Sequence, residues 1–153
     1  MTVTYQTETL DTALEDMKPL LRRHWSEIAR NQDVIALDPD YDAYHRLEAA
    51  GFLRVFTARK GSEMVGYALY FVKPHIHYRR DVWAVCDIVF IAPEHRGRAG
   101  IGLLRFCESR LRALGVSVMH TTGKVEHPAL AAVLGHLGHT RIEFGYAKLL
   151  KEV

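Results

Sequence analysis

Two groups of residues in this chain have types and spacings that do chemistry. The first is Gly97-Arg98-Ala99-Gly100-Ile101-Gly102, preceded by Ile91-Ala92-Pro93-Glu94-His95-Arg96. A glycine- and arginine-rich turn between a strand and a helix makes an anion site. The free N–H groups of the first helical turn point at the ligand, and the helix dipole favours negative charge there. Glycine lets a phosphate approach the backbone closely. The second is Asp87, which interrupts the apolar runs Val82–Cys86 and Ile88–Ile91. A carboxylate inside a buried strand is costly unless it is paired or solvated in a cleft. It is either a structural Asp bonded to a nearby donor or a general base.

Spacing excludes two familiar phosphate loops. Gly97 and Gly102 have the separation of a P-loop, but Leu103 and Leu104 follow where Lys and Ser or Thr belong. A dinucleotide fingerprint wants a third glycine where Arg105 stands. Other reactive side chains give weaker signals. His75 and His77 would share one strand face, but no third ligand at fitting spacing is evident, so no metal is expected. Cys86 and Cys107 are the only cysteines. Both lie in apolar surroundings and read as buried thiols of a reducing cytoplasm. Neighbours on a strand face opposite sides, so Cys86 is expected to point away from Asp87.

The elements that must position these residues follow from hydrophobic period and turn chemistry. Val3 to Gln6 reads as a strand, and Thr12 with Glu15 as a capping box. Leu14, Met17, Leu21, Trp25 and Ile28 recur at helical spacing, with Pro19 expected to kink or divide the helix. Asn31 to Asp42 is an irregular connection carrying Asp33, Asp38, Asp40 and Asp42 without Lys or Arg. It reads as capping and solubility, or as an acidic lip for a cationic amine. Tyr41 to Ala50 is the next helix. Phe52–Arg59 and Glu63–Phe71 form a hairpin, with Gly66 marking a bulge or close backbone approach. Val82–Ile91 is the strand before the loop, and Leu103–Leu114 the helix after it. A further strand spans Ser117–Thr122, a last helix Ala129–Leu137, and a final strand is placed around Thr140–Tyr146.

At this level the chain resembles the GNAT superfamily of N-acyltransferases, and within it the short phage and prophage members. Gly97–Gly102 is similar to that family's acyl-CoA pyrophosphate loop, with Gly97 standing where Arg or Gln is usual and Arg96 one residue early. Asp87-Ile88-Val89-Phe90 resembles a Glu-Ile-Val-Phe phrase carrying a catalytic Glu. The resemblance implies an α/β (α+β) fold, with a mixed, mostly antiparallel sheet of about six to seven strands and about four helices. It implies acetyl-CoA as co-substrate, a primary amine as acceptor and direct transfer. Val89, Phe90, Ile91 and Arg96 to Gly102 (Arg96, Gly97, Arg98, Ala99, Gly100, Ile101, Gly102) would bind the donor. A main-chain N–H beside Phe90 or Ile91 would polarise the thioester, and Asp87 would act as base. The usual tyrosine acid of the last helix is replaced by Leu134. Tyr146 is a weak substitute, and Glu143 either lines the acceptor cleft or is solvated. The missing acid keeps open a non-catalytic CoA-binding or protein-interaction module.

Composition bounds the rest. The 153 residues, 48% apolar, suit one domain over residues 1–153. The net charge of +2 gives no global pull toward nucleic acid or membrane, and no aromatic stacking platform accompanies the arginines. No apolar run is long enough to span a bilayer, and Met1–Tyr5 lacks a signal-peptide pattern. The expectation is a cytoplasmic enzyme, with a homodimer left open.

Overall fold

The hairpin expected around Lys60-Gly61-Ser62 is the centre of the sheet. In the computed structural model, which describes residues 2–151, it consists of β2 (Leu53–Lys60) and β3 (Glu63–Pro74). β1 (Val3–Glu8) adds antiparallel to β2, and β4 (Val82–Ile91) antiparallel to β3. β5 (Val116–His120) adds parallel to β4, giving one sheet in the order β1-β2-β3-β4-β5. The parallel step needs a crossover, and α3 (Arg98–Ala113) supplies it.

Period-2 alternation sends the strand side chains to two layers. On one face Phe56, Ala68, Tyr70 and Cys86 pack against Leu103, Cys107 and Leu111 of α3. On the other, Val55, Tyr67, Leu69 and Phe90 pack against α1 (Leu10–Ile28), with α2 (Tyr41–Ala49) beside it. Gly66 permits close approach of β3 to β4. A Cβ there would lie 2.3 Å from Ile91 Cδ1 and 2.7 Å from the Phe90 carbonyl oxygen. The last helix, α4 (Pro128–His136), buries only Leu134.

Several expectations need correction. The sheet has five strands, not six to seven. The segment around Thr140–Tyr146 is not a strand, and Ile142, Phe144 and Tyr146 are 59%, 75% and 93% exposed. Alternation alone does not hold a strand whose apolar side has no layer to pack against. α1 is not divided but runs through Pro19, because its buried stripe fixes it to the sheet on both sides of the proline. Its cap is Thr9 rather than Thr12: the Thr12 N–H donates to Thr9 Oγ1 at 3.3 Å. The buried stripe is Leu10, Ala13, Met17, Leu20 and His24, about one residue out of phase with the apolar periodicity read above. His75 and His77 do not share a strand face: β3 ends at Pro74, and the His77 N–H donates to His75 Nδ1 in the turn that follows. Among the described residues no group of His, Cys, Asp or Glu is placed to hold a metal.

Candidate active site

The site forms where β4 changes neighbours. Along its first half β4 pairs with β5, from Val82 opposite Val116 to Val85 opposite His120. Beyond that β5 ends while β4 continues to Ile91, so among the described residues Cys86–Ile91 has one edge without a strand partner. The Ala92 N–H donates to the Val65 carbonyl at 2.9 Å, which fixes the phase of the β3–β4 ladder. By alternation, the main-chain groups of Phe90 face β3, while those of Val89 and Ile91 face the open edge. Sequence reasoning placed a polarising N–H beside Phe90 or Ile91; of the two, the N–H of Ile91 faces the open edge, as does that of Val89.

Asp87 occupies a break in that ladder. Leu69 pairs with Ile88 and Tyr70 with Cys86, so Asp87 is the extra residue of a bulge. A bulge bends the strand and re-aims a side chain. Asp87 is accordingly turned toward α2, where the Tyr44 hydroxyl donates to its Oδ2 at 2.5 Å. Tyr44 also stacks on Phe71, with centroids 6.3 Å apart. Burial, then the hydrogen bond to Asp87, pushes the Tyr44 phenol well above its ordinary pKa. Tyr44 was missed at the sequence level. It is 43 residues from Asp87, and no local spacing connects a helix tyrosine to a strand carboxylate. Cys86 faces the other layer, within the α3 core. Burial pushes its thiol up to about 12, which removes the thiolate a nucleophile needs.

The glycine loop is more helical than expected. α3 begins at Arg98 rather than Leu103, so Arg98, Ala99, Gly100, Ile101 and Gly102 form its first turn and a half. Gly97 is the N-cap, with φ of 87° and no side-chain cap. That positive-φ backbone is open to glycine and strained for other residues. The Ile101 N–H bonds to the Gly97 carbonyl at 3.2 Å, so the N–H groups of Arg98, Ala99 and Gly100 precede the first internal helix bond. Without helix partners, these N–H groups are of the kind that suits an anion; Arg98 is exposed, Gly100 half-buried and Ala99 buried. Gly102 serves packing: a Cβ there would lie 2.0 Å from the Tyr5 hydroxyl.

The arginines divide by role. Arg96 is committed to the protein, its Nε donating to the Ile91 carbonyl at 3.1 Å and its Nη2 to both Glu27 oxygens at 2.7 and 2.6 Å. This pairing holds the Glu27 carboxyl below the usual carboxylate range. The adjacent His24 stacks on Phe90 at 4.7 Å and shares a 3.0 Å hydrogen bond with the Tyr67 hydroxyl. Desolvation lowers its pKa to about 4. Arg98 is exposed at the start of α3, and Arg110 and Arg112 are occupied with Phe106 and Glu108. Glu143 and Tyr146 lie in the exposed C-terminal segment, outside this arrangement.

A cavity of about 400 Å³ opens on the α1/α2 side. Tyr44 and Ile88, the partner and the chain neighbour of Asp87, both line it. The free N–H groups that begin α3 and the open strand edge thus lie toward one end of β4, with a carboxylate and a largely apolar cavity, open to solvent, beyond them. The arrangement suits a phosphate-bearing donor on one side and a small acceptor on the other.

Comparisons with known proteins agree. The sequence matches the Acetyltransferase (GNAT) family over residues 14–138. No curated protein matches it. Among solved structures it is similar to a ribosomal-protein-alanine N-acetyltransferase from Brucella melitensis biovar Abortus 2308, with a TM-score of 0.76 and 15% identity over 98% of this chain and 100% of that one. An aminoglycoside acetyltransferase from an uncultured soil metagenomic sample also has a TM-score of 0.76, at 15% identity over 99% and 100% of the two chains. A predicted acetyltransferase with acetyl-CoA from Clostridium acetobutylicum has a TM-score of 0.73, at 13% identity over 97% of each. At these identities the structures speak for the fold, and the family match covers the bulged strand, the glycine loop and the crossover helix alike: the chain belongs to the GNAT family of acetyltransferases.

Proposed function

We propose that the protein transfers the acetyl group of acetyl-CoA to a primary amine by direct attack, with Asp87 as general base. The observation that carries this reading is the bulge at Asp87, on the same stretch of β4 whose open edge leads to the uncapped start of α3. Acetyl-CoA supplies an activated acyl group. The N–H groups of Arg98, Ala99 and Gly100 would hold its pyrophosphate, which contributes binding and positioning. Val89 and Ile91 would bond the pantetheine amides in the manner of an added strand, and one of their N–H groups would polarise the thioester oxygen. Arg96 closes the end of this edge, its Nε on the outward-facing Ile91 carbonyl, so its part is positional.

Asp87, directly or through a water, would take a proton from the incoming ammonium. The amine nitrogen then bonds to the carbonyl carbon, the C–S bond breaks, the thiolate departs and the nitrogen gives up its second proton to solvent, leaving the amide. Leu134 leaves α4 without a tyrosine acid, and Tyr146 is 93% exposed to solvent, so solvent is the proton source this reading favours. The same proposal counts the chain among the short phage-type members, on the sequence resemblance, and as cytoplasmic, on its two buried thiols. It also has the chain act as a homodimer, supported by the exposed Ile142, Phe144 and Tyr146.

One observation favours a second reading, a CoA-binding module without turnover: the position of the usual acid is a buried leucine. Thiol release from acetyl-CoA, measured with and without a panel of amines, separates the two. Amine-dependent release with an acetylated product supports the enzyme. Saturable acetyl-CoA binding with no release for any amine supports the module.

A further inference from the structure

Helix α1 carries more apolar surface than the sheet covers. Leu10, Ala13, Met17 and Leu20 close the core. Leu14, Leu21 and Trp25 lie round the helix from that stripe and line the cavity of about 400 Å³. Across from them stand Ile35, Leu37 and Tyr41. This is why the apolar period of α1 runs out of phase with its buried stripe: part of it serves the cavity rather than the core.

We propose that this cavity takes the apolar body of the acceptor, so that the acceptor is a small monoamine bearing an aromatic or aliphatic group, rather than a polyamine or a sugar amine. The proposal rests on the acyl-transfer reading above. Size argues for a compact molecule, since small-molecule sites run from about 300 to 1,000 Å³. The lining argues for an apolar one. Of the residues around the cavity only Asp38 and Asp40 are charged, and both are exposed at the rim. Asp40 is already engaged, accepting from the Ala43 N–H at 2.8 Å and lying 3.8 Å from Arg46. Lys18 stands over the Tyr41 ring and Lys151 donates to the Val34 carbonyl, so positive charge already stands beside this rim and works against a polycation. A polycation would find too few partners for its charges and would leave several of them against apolar walls. A monoamine has one charge to satisfy. Tyr44 and Ile88 place that charge beside Asp87 while the body stays along α1.

The protein has two tryptophans, Trp25 and Trp83, and only Trp25 lines the cavity. Trp83→Phe therefore makes emission a local reporter. It would be titrated with 2-phenylethylamine, hexylamine, spermidine and kanamycin, with thiol release from acetyl-CoA measured in parallel. The expected result is a saturable Trp25 response to the two apolar amines, with kcat/KM about tenfold or more above the polycations. Ile35→Asp, at a half-exposed wall position that tolerates the change, should raise KM for the apolar amines several-fold and leave KM for acetyl-CoA unchanged. Preferred turnover of spermidine or kanamycin overturns this inference and leaves acyl transfer standing. A Trp25 response without thiol release overturns acyl transfer and leaves the ligand class standing. Neither response nor release overturns both.

Discussion

The Tyr44 hydroxyl lies 2.5 Å from Asp87 Oδ2, and the two residues come from a helix and a strand 43 positions apart. The contact supplies the neighbouring donor that a carboxylate in an apolar strand requires. Asp87 is neither bare nor neutralised by a salt bridge: one neutral phenol satisfies one of its oxygens, and a cavity begins at the same phenol. A carboxylate anchored on one side in this way is suited to proton transfer on the other.

Tyr44→Phe keeps the ring on Phe71 and removes the hydroxyl. One lost hydrogen bond to a charged group is worth about 1.5 kcal/mol or more, so kcat/KM for the amine should fall about tenfold. The expected signature is a displaced pH profile of kcat, with a melting temperature lower by about a few degrees. An unaltered profile would remove Tyr44 from the positioning of Asp87.

Gly97→Ala tests the glycine loop through the backbone alone. A Cβ at Gly97 meets nothing within 4 Å, so the change acts only through its φ of 87°. With ψ of −113° this positive-φ backbone lies outside the left-handed helical well, and holding a non-glycine residue there costs about 1–3 kcal/mol. KM for acetyl-CoA should rise about tenfold while KM for the amine holds, as read from initial rates with each substrate varied.

Much of this was legible in the sequence. The glycine loop, the apolar strand with its carboxylate, the hairpin and the four helices all come from local patterns that tertiary packing leaves intact. Three things were not legible. The bulge at Asp87 depends on the register of β3 against β4, which is a pairing of distant segments. The Tyr44 contact depends on where α2 lands after an irregular connection. The final strand failed because Ile142, Phe144 and Tyr146 alternate correctly yet meet no layer in the chain.

His24 makes stability pH-dependent. Burial holds its pKa near 4 in the folded protein against an ordinary value of 6.5, so the unfolded chain binds more protons between these limits. The contribution is present above pH 6.5 and is lost as pH falls toward 4, up to about 3 kcal/mol. Urea midpoints measured between pH 7.5 and 4.5 should fall more for the wild type than for His24→Phe.

Arg59 and Glu8 tie β2 to β1 at 2.7 Å, with side chains only 11% and 6% exposed, and Asp16 adds a second carboxylate at 2.7 Å. Removing Glu8 leaves the buried Arg59 with the half-exposed Asp16 alone, which costs part of the about 3–5 kcal/mol of a stranded buried charge. Glu8→Ala should lower the chemical denaturation midpoint accordingly, while Glu15→Ala, from the exposed pair with Lys18, should change it by less than about 1 kcal/mol.

The central claim is that Asp87 moves the proton in an acyl transfer whose donor is held elsewhere. It is tested most directly by Asp87→Asn, measured as kcat and kcat/KM for an accepted amine from pH 6 to 9, beside acetyl-CoA binding to the same variant. The account predicts a loss of about 10²- to 10⁴-fold in kcat, a flattened pH profile and unchanged affinity for acetyl-CoA. Wild-type turnover with the wild-type pH profile in Asp87→Asn would contradict it.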